Sequence, residues 1–89
     1  MTTYRAPPPD AVVAVELDPF VALYDRRSGI THLLAEPAPQ LIELLRAAPL
    51  TFDELRTRVG EVFDAPDLSD DALRARLMEL VASGLIMRA

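Results

Sequence analysis

Apolar and polar positions divide the chain into a strand-forming first third and a helix-forming remainder. β-Branched residues dominate Ala11 to Leu17, which predicts a first strand. The segment from Phe20 to Leu34 holds two apolar stretches around residues 25–29 (DRRSG), a short polar stretch that ends in glycine. This arrangement predicts a β-hairpin, because glycine adopts the left-handed geometry that closes such turns. We therefore expect the second strand over residues 20–24 and the third over residues 30–34.

The next two blocks of the chain carry apolar residues at helical spacing. Residues 36–39 (EPAP) open the first helix, where proline's missing N–H would be unpaired in any case, and the helix continues to Ala48. Thr51 and Glu54 have the spacing of a capping box, in which each side chain bonds the other residue's amide. The second helix has one apolar stripe: Phe52, Leu55, Val59, Val62 and Phe63.

A third helix is predicted over residues 70–83, after a loop at residues 65–68. Ser69 is its N-cap, and Gly84 ends it in a left-handed conformation before a last short strand at residues 85–87. A short loop between the final two helices is typical of a helix-turn-helix, and the attached sheet makes it a winged variant. The predicted fold class is α+β: a three-stranded antiparallel sheet packed on a three-helix winged-helix-turn-helix bundle, in the order β-β-β-α-α-α.

One domain is the expectation for 89 residues, since such a chain buries a little over ~60% of its unfolded surface in a single core. Residues 1–10 contain three consecutive prolines and are predicted to form an extended, flexible leader, with the domain over residues 11–89. The chain lacks cysteine, an apolar run of the ~18 residues that a membrane span needs, and the pattern of a signal peptide. We therefore expect a cytoplasmic protein without disulfides.

Catalysis is not expected, because the residue types that it needs are missing or isolated. His32 is the only histidine and lies in the third strand, with no serine or cysteine beside it in sequence. We expect it to be an edge or half-buried strand residue that makes one hydrogen bond. One histidine and scattered carboxylates supply no recognisable metal site, and three glycines form no phosphate-binding loop. The sequence therefore predicts a protein that is not an enzyme and needs no cofactor.

The charge pattern argues against nucleic acid but leaves a winged-helix DNA-binding regulator as an alternative. The net charge is −5, whereas affinity for nucleic acid depends on cations that neutralise phosphates. In a helix-turn-helix protein the third helix would enter the major groove, yet its leading end carries Asp70 and Asp71. Arg26 and Arg27 could contact phosphates as a wing, although two arginines at a hairpin tip are more often solvated.

An unpaired strand edge is the feature that favours peptide binding. The third strand is expected at a sheet edge beside the third helix, where a peptide can add as a further strand. Arg74 and Met78 lie four apart on that helix, so they share a face on which Arg74 would pair with an acidic ligand residue and Met78 would adapt to an apolar one. The alternative is that Met78 fills the core and Arg74 is solvated. A free edge also permits a homodimer through the strand edge or through exchange of the N-terminus.

The hairpin and helix signals resemble the PqqD-like family, and more narrowly the HPr-rel-A system PqqD family of peptide chaperones. The most specific string is YDRRSGITHLL, from Tyr24 to Leu34, followed by the proline-containing helix start, TFDEL in the second helix and SGLI after the third. The similarity covers residues 11–88. One departure is Glu36, where many relatives have asparagine before the helix-start proline.

The resemblance implies a winged-helix recognition domain that does no chemistry itself. Its partner would be the leader of a ribosomally made precursor peptide, which adds as a strand and is brought to a separate modifying enzyme, with no nucleic acid or membrane involved. A structural subunit of a larger enzyme is a third possibility. The peptide-binding positions carried over are Thr31, His32, Leu33 and Leu34 on the strand and Arg74, Leu77, Met78 and Val81 on the helix.

Overall fold

A computed structural model describes residues 1–62 and 68–89. In these two ranges the fold is α+β, with three helices and two three-stranded antiparallel sheets, joined by a short 3₁₀ helix at Pro9–Ala11. The helices are α1 (Ala38–Ala47), α2 (Phe52–Val62) and α3 (Asp70–Ala82). The strands are β1 (Thr3–Arg5), β2 (Val12–Leu17), β3 (Phe20–Asp25), β4 (Ile30–Leu34), β5 (Leu50–Thr51) and β6 (Met87–Arg88).

The first sheet is a meander in the order β2-β3-β4, which confirms the predicted hairpin. Gly29 closes the β3–β4 turn with a φ of 75°, and its N–H donates to the carbonyl oxygen of Asp25 at 2.8 Å. Strand β4 has the predicted bounds, and β3 extends one residue further, to Asp25. Leu23 in the centre of the sheet pairs with Ala14 on one side and His32 on the other.

The second sheet, in the order β5-β1-β6, differs from the predicted organisation of the chain. Residues 1–10 were expected to form a flexible leader, but β1 lies between the other two strands and Tyr4 pairs with both Leu50 and Arg88. Tyr4 is 5% exposed, and Pro7 is among the most deeply buried side chains. The predicted order β-β-β-α-α-α therefore omits β1, β5 and β6, although a short strand at residues 85–87 was expected close to β6.

Side-chain capping fixes where α2 and α3 begin. Thr51 N–H donates to Oε1 of Glu54 at 2.9 Å, and Glu54 N–H donates to Oγ1 of Thr51 at 3.2 Å, which confirms the capping box. Ser69 Oγ accepts from the N–H of Ala72 at 3.1 Å, as expected for the N-cap of α3. The predicted stripe residue Phe63 and most of the predicted loop at 65–68 lie outside the described residues.

One core joins both sheets to the three helices. Among its members Leu41, Leu55 and Leu77 are fully buried, one from each helix. The β2-β3-β4 sheet contributes only the residues of one face, namely Val12, Leu23 and Leu34. Each helix in the described part of the chain is too short or too polar to cross a membrane.

Candidate functional site

Strand β4 is an edge of its sheet. Within the described residues it pairs with β3 and with no other strand, so one row of its backbone N–H and C=O groups has no partner strand. An unpaired row of this kind is a template for a further strand. The site is therefore defined first by backbone groups and only then by side chains.

The hydrogen-bonding pattern shows which backbone groups form that row. In an antiparallel sheet the N–H and C=O of one residue point to the same side, and the side alternates along the strand. Arg26 donates its N–H to the carbonyl oxygen of Ala11, just before β2, at 2.8 Å, so the backbone of Arg26 faces β2. The backbone of Asp25 consequently faces β4, where its partner is Ile30. Alternation along β4 then leaves the N–H and C=O groups of Thr31 and Leu33 pointing away from the sheet.

Helix α3 stands beside this edge and forms a groove of about 370 Å³ with β4. The strand side is formed by residues 32–34, and the connection to α1 closes one end through Ala35, Glu36 and Ala38. The helix side consists of one flank of α3: Arg76, Glu79, Leu80 and Ser83. A segment that paired with Thr31 and Leu33 would thus have α3 as a wall along its other side.

The groove carries charges of both signs. Arg76 Nη1 and Glu79 Oε2 lie 3.2 Å apart on the helix wall, and both side chains remain about half exposed or more, at 48% and 62%. At the end of the groove, Gln40 donates to the carboxylate of Glu36 at 3.3 Å. Because the Arg76–Glu79 pair is exposed, it holds its geometry weakly and can exchange partners with a ligand.

His32 lies at the floor of the groove and faces the same side of the sheet as buried Leu23. Its Nε2 is buried and has no hydrogen-bond partner among the described residues. The expected single hydrogen bond of His32 is therefore not formed within residues 1–62 and 68–89. A buried polar atom without a partner costs free energy, so this position favours a segment that supplies a partner.

A clamp of side chains holds the β3–β4 turn against the end of α3. Asp25 is 3% exposed, and its two carboxylate oxygens accept from Nε and Nη2 of Arg27 at 3.0 and 3.1 Å. Nη2 of Arg27 also donates to the carbonyl oxygen of Gly84, just beyond α3, at 3.3 Å. The bidentate pair with Arg27 lowers the pKa of the Asp25 carboxyl below its ordinary value.

The four predicted strand positions occupy different places in the structure. His32, Leu33 and Leu34 line the groove, whereas Thr31 lies outside its lining and contributes a backbone pair to the open edge. Leu33 both lines the groove and contributes its outward N–H and C=O to the open edge. Its side chain is 62% exposed. Leu34 is 8% exposed and belongs to the core.

The four predicted helix positions, Arg74, Leu77, Met78 and Val81, are not among the residues that line this groove. Leu77 is fully buried in the core, and Met78 and Val81 are half-buried against it. The guanidinium of Arg74 sits over the ring of Phe52 in α2, 3.9 Å from its centroid. As peptide-binding residues these four stay predictions, and the alternative that Met78 packs against the core agrees with the structure.

The reason lies in the geometry of a helix. Leu73, Leu77 and Leu80 form the buried stripe, and neighbouring residues fall on either flank of it. Arg74 and Arg76 are two positions apart, so their directions around the helix differ by about 160°. Spacing alone shows that residues share a flank, but not which flank meets the sheet edge. No signal in the sequence identified Arg76, Glu79 and Ser83 as groove residues.

Comparison with known proteins gave no relative. No family model matches the chain, and neither a curated protein nor a solved structure matches it. Among the described residues, no three His, Cys, Asp or Glu side chains cluster in a way that could hold a metal ion. The class that fold and site define is thus a small α+β protein with an open strand edge beside a helix wall.

Proposed function

We propose that this protein is a non-catalytic adaptor that captures the leader segment of a ribosomally synthesised precursor peptide and presents it to a separate modifying enzyme. The segment adds as a strand to β4 and lies in the groove against α3. This function, and a winged-helix arrangement of the three helices, are what the resemblance to the PqqD-like family implies. A ribosomally made precursor would meet the chain in the cytoplasm.

The observation that carries the proposal is the open row of backbone groups at Thr31 and Leu33 beside the α3 groove. Strand addition takes its affinity from main-chain hydrogen bonds and its selectivity from pockets for alternate side chains. The open edge of β4 supplies the main-chain hydrogen-bonding groups, and the groove supplies a pocket for side chains. Both occur together at β4, over a length of five residues.

The other edge of the same sheet, β2, is protected in a way that β4 is not. Glu16 lies in β2 and points to the helix-facing side of the sheet, where it is exposed. A charge at this position on an edge strand is one of the devices that prevent strand pairing. Strand β4 has no Asp, Glu, Lys, Arg, Pro or Gly between Ile30 and Leu34.

The groove also indicates what kind of peptide would fit. A strand's side chains alternate, so every second residue of the ligand would enter the groove over His32 and Leu34. Leu34 and Leu80 favour an apolar residue there, and unpaired His32 Nε2 favours a neighbour that forms a hydrogen bond. Arg76 on the wall favours an acidic residue in the ligand.

The test removes one backbone donor from the open edge. Leu33→Pro eliminates the N–H of Leu33, and proline is tolerated on an edge strand where the N–H faces solvent. Leu33→Thr is the matched control, because it changes the side chain but keeps the N–H. We expect a synthetic peptide that alternates apolar and acidic residues to bind the wild type and Leu33→Thr but not Leu33→Pro, in a fluorescence-anisotropy titration.

Backbone amide NMR of the same titration locates the site. Shifts should concentrate in residues 30–36 and on the groove flank of α3, with unchanged helix content in all three proteins. Equal affinity of Leu33→Pro and wild type, or shifts confined to other surfaces, would contradict strand addition. Specific retention of upstream DNA in a low-salt gel-shift assay would instead favour the DNA-binding regulator.

A further inference from the structure

The face of the β2-β3-β4 sheet that points away from the helices is almost entirely apolar. The strand register places every second residue of the three strands on it, and none of these residues is charged. We call this surface the outer face; its residues are Val13, Val15, Leu17, Phe20, Ala22, Tyr24, Thr31 and Leu33. Six of them are large hydrophobic residues that are between 39% (Val13) and 62% (Leu33) exposed.

The sequence of β2 and β3 is that of a sheet covered on both sides. An antiparallel sheet with one face in water normally alternates apolar and polar residues. Here the runs VVAV in β2 and FVALY in β3 are apolar on both faces. In the described part of the chain the helices pack on one face only, over residues such as Leu23 at 3% exposure, and no layer of described residues covers the outer face.

We propose that the missing layer is a second copy of this chain, stacked outer face to outer face about a two-fold axis. Two identical twisted sheets pack in this way at an angle of about −30° between their strands. The contact is isologous, since each copy offers the same patch to the other. It differs from pairing through the β4 edge, which would use backbone groups rather than side chains.

The size of the outer face fits such a contact. Its six large hydrophobic residues leave on the order of 500 Å² of apolar surface, near the upper end of the largest patches on monomers. A two-fold stack would bury about 1,000 Å² in total, which is the lower limit for a specific interface. We therefore expect a weak dimer that forms at micromolar or higher concentration.

The charge distribution favours a copy of the same chain over a charged partner. Each copy carries a net charge of −5, so two copies repel at long range, and a contact between them must add no like-charge pairs to that repulsion. The outer face meets this condition and offers an oppositely charged protein nothing to pair with. Stacking would cover the side chain of Leu33, which the two surfaces share, and would leave the rest of the groove open, because its other residues lie on α3, on the helix-facing side of the sheet or in the connection to α1.

The experiment is sedimentation velocity of the full chain from micromolar to millimolar concentration. Val15 is in the central row of the outer face, 52% exposed, and Val15→Arg would place two like charges in the contact. Glu16→Arg is the matched control, since it puts the same side chain at the next position on the opposite face. We expect wild type and Glu16→Arg to dimerise alike, and Val15→Arg to raise the dimer dissociation constant by at least about tenfold.

Two more variants distinguish face-to-face stacking from misfolding and from pairing through the β4 edge. If the circular dichroism spectrum shows that Val15→Arg disturbs the fold, Leu17→Arg takes its place. At this position, which is 54% exposed, arginine should likewise raise the dimer dissociation constant. Thr31→Pro should leave the dimer intact, because it removes an edge donor without removing any of the six large hydrophobic side chains. A wild type that is monomeric throughout, or a dimer lost in Thr31→Pro but retained in Val15→Arg, would overturn the proposal.

Discussion

Asp25 and Arg27 connect the turn of the hairpin to the end of α3. Their bidentate pair is local, but the third bond, from Arg27 to the carbonyl oxygen of Gly84, spans 57 positions in the sequence. This bond joins the two elements that form the groove, β4 and α3. The pair Asp25–Arg27 therefore acts on the site through the position of the turn, although neither residue lines the groove.

Asp25→Asn gives the first prediction, which concerns pH. Because the pKa of Asp25 is lowered in the folded chain, its stabilising contribution is complete above the unfolded value of about 3.9 and is lost as the pH falls through the lower, folded value. The variant should therefore have a lower melting temperature than the wild type at neutral pH, and the difference between the two melting temperatures should decrease below about pH 4.

Thermal unfolding followed by circular dichroism from pH 7 to acid checks this expectation. Asp10→Asn, at an exposed carboxylate in the 3₁₀ helix, is the control and should melt with the wild type. If the melting temperatures of Asp25→Asn and wild type instead differ by the same amount down to acidic pH, the carboxylate charge contributes nothing to stability.

Most of the strands and helices that could be predicted were recognised from short-range signals in the sequence. The hairpin follows from local chemistry: a glycine with positive φ between two apolar strands, which the sequence displays directly. The capping box at Thr51 and Glu54 is equally local. Which flank of α3 meets the sheet cannot be read from local sequence, because it depends on how the whole helix packs. The prediction named Arg74, whereas Arg76 lines the groove beside β4.

Arg74 and Arg76 form a matched pair for the second prediction. Arg76→Ala should weaken binding of an acidic leader peptide several-fold while leaving stability near that of the wild type, because its ion pair with Glu79 is exposed. Arg74→Ala should leave affinity unchanged and cost about 0.5–1 kcal/mol of stability, since it removes the cation–π contact with Phe52.

Anisotropy titrations and urea unfolding of the two variants measure these effects side by side. The two substitutions remove the same charge from the same helix, so a general effect of net charge would appear in both. Weaker binding by Arg74→Ala, with Arg76→Ala unaffected, would place the ligand on the α2 side of α3 and restore the face first predicted from the sequence.

The β5-β1-β6 sheet connects parts of the chain that are distant in sequence. Strand β1 pairs with residues next to α2 and with residues after α3, and Ala89 N–H donates to the carbonyl oxygen of Thr3 at 2.9 Å. No periodic pattern exists in strands of two or three residues, so the sequence did not reveal β1 and β5 and placed the last strand only approximately, at residues 85–87. Such short strands form only because all three meet over a shared core.

Tyr4 tests whether this second sheet is part of the folding unit. Its side chain is 5% exposed in the core, so Tyr4→Ala removes a large buried aromatic group and should cost about 3 kcal/mol in urea unfolding. Thr2→Ala, at an exposed neighbour, should unfold with the wild type. If residues 1–10 were instead the flexible leader that their prolines suggest, both substitutions would be neutral. A large loss confined to Tyr4→Ala would establish that β1 belongs to the folding unit, whose core also contains residues of α2 and α3.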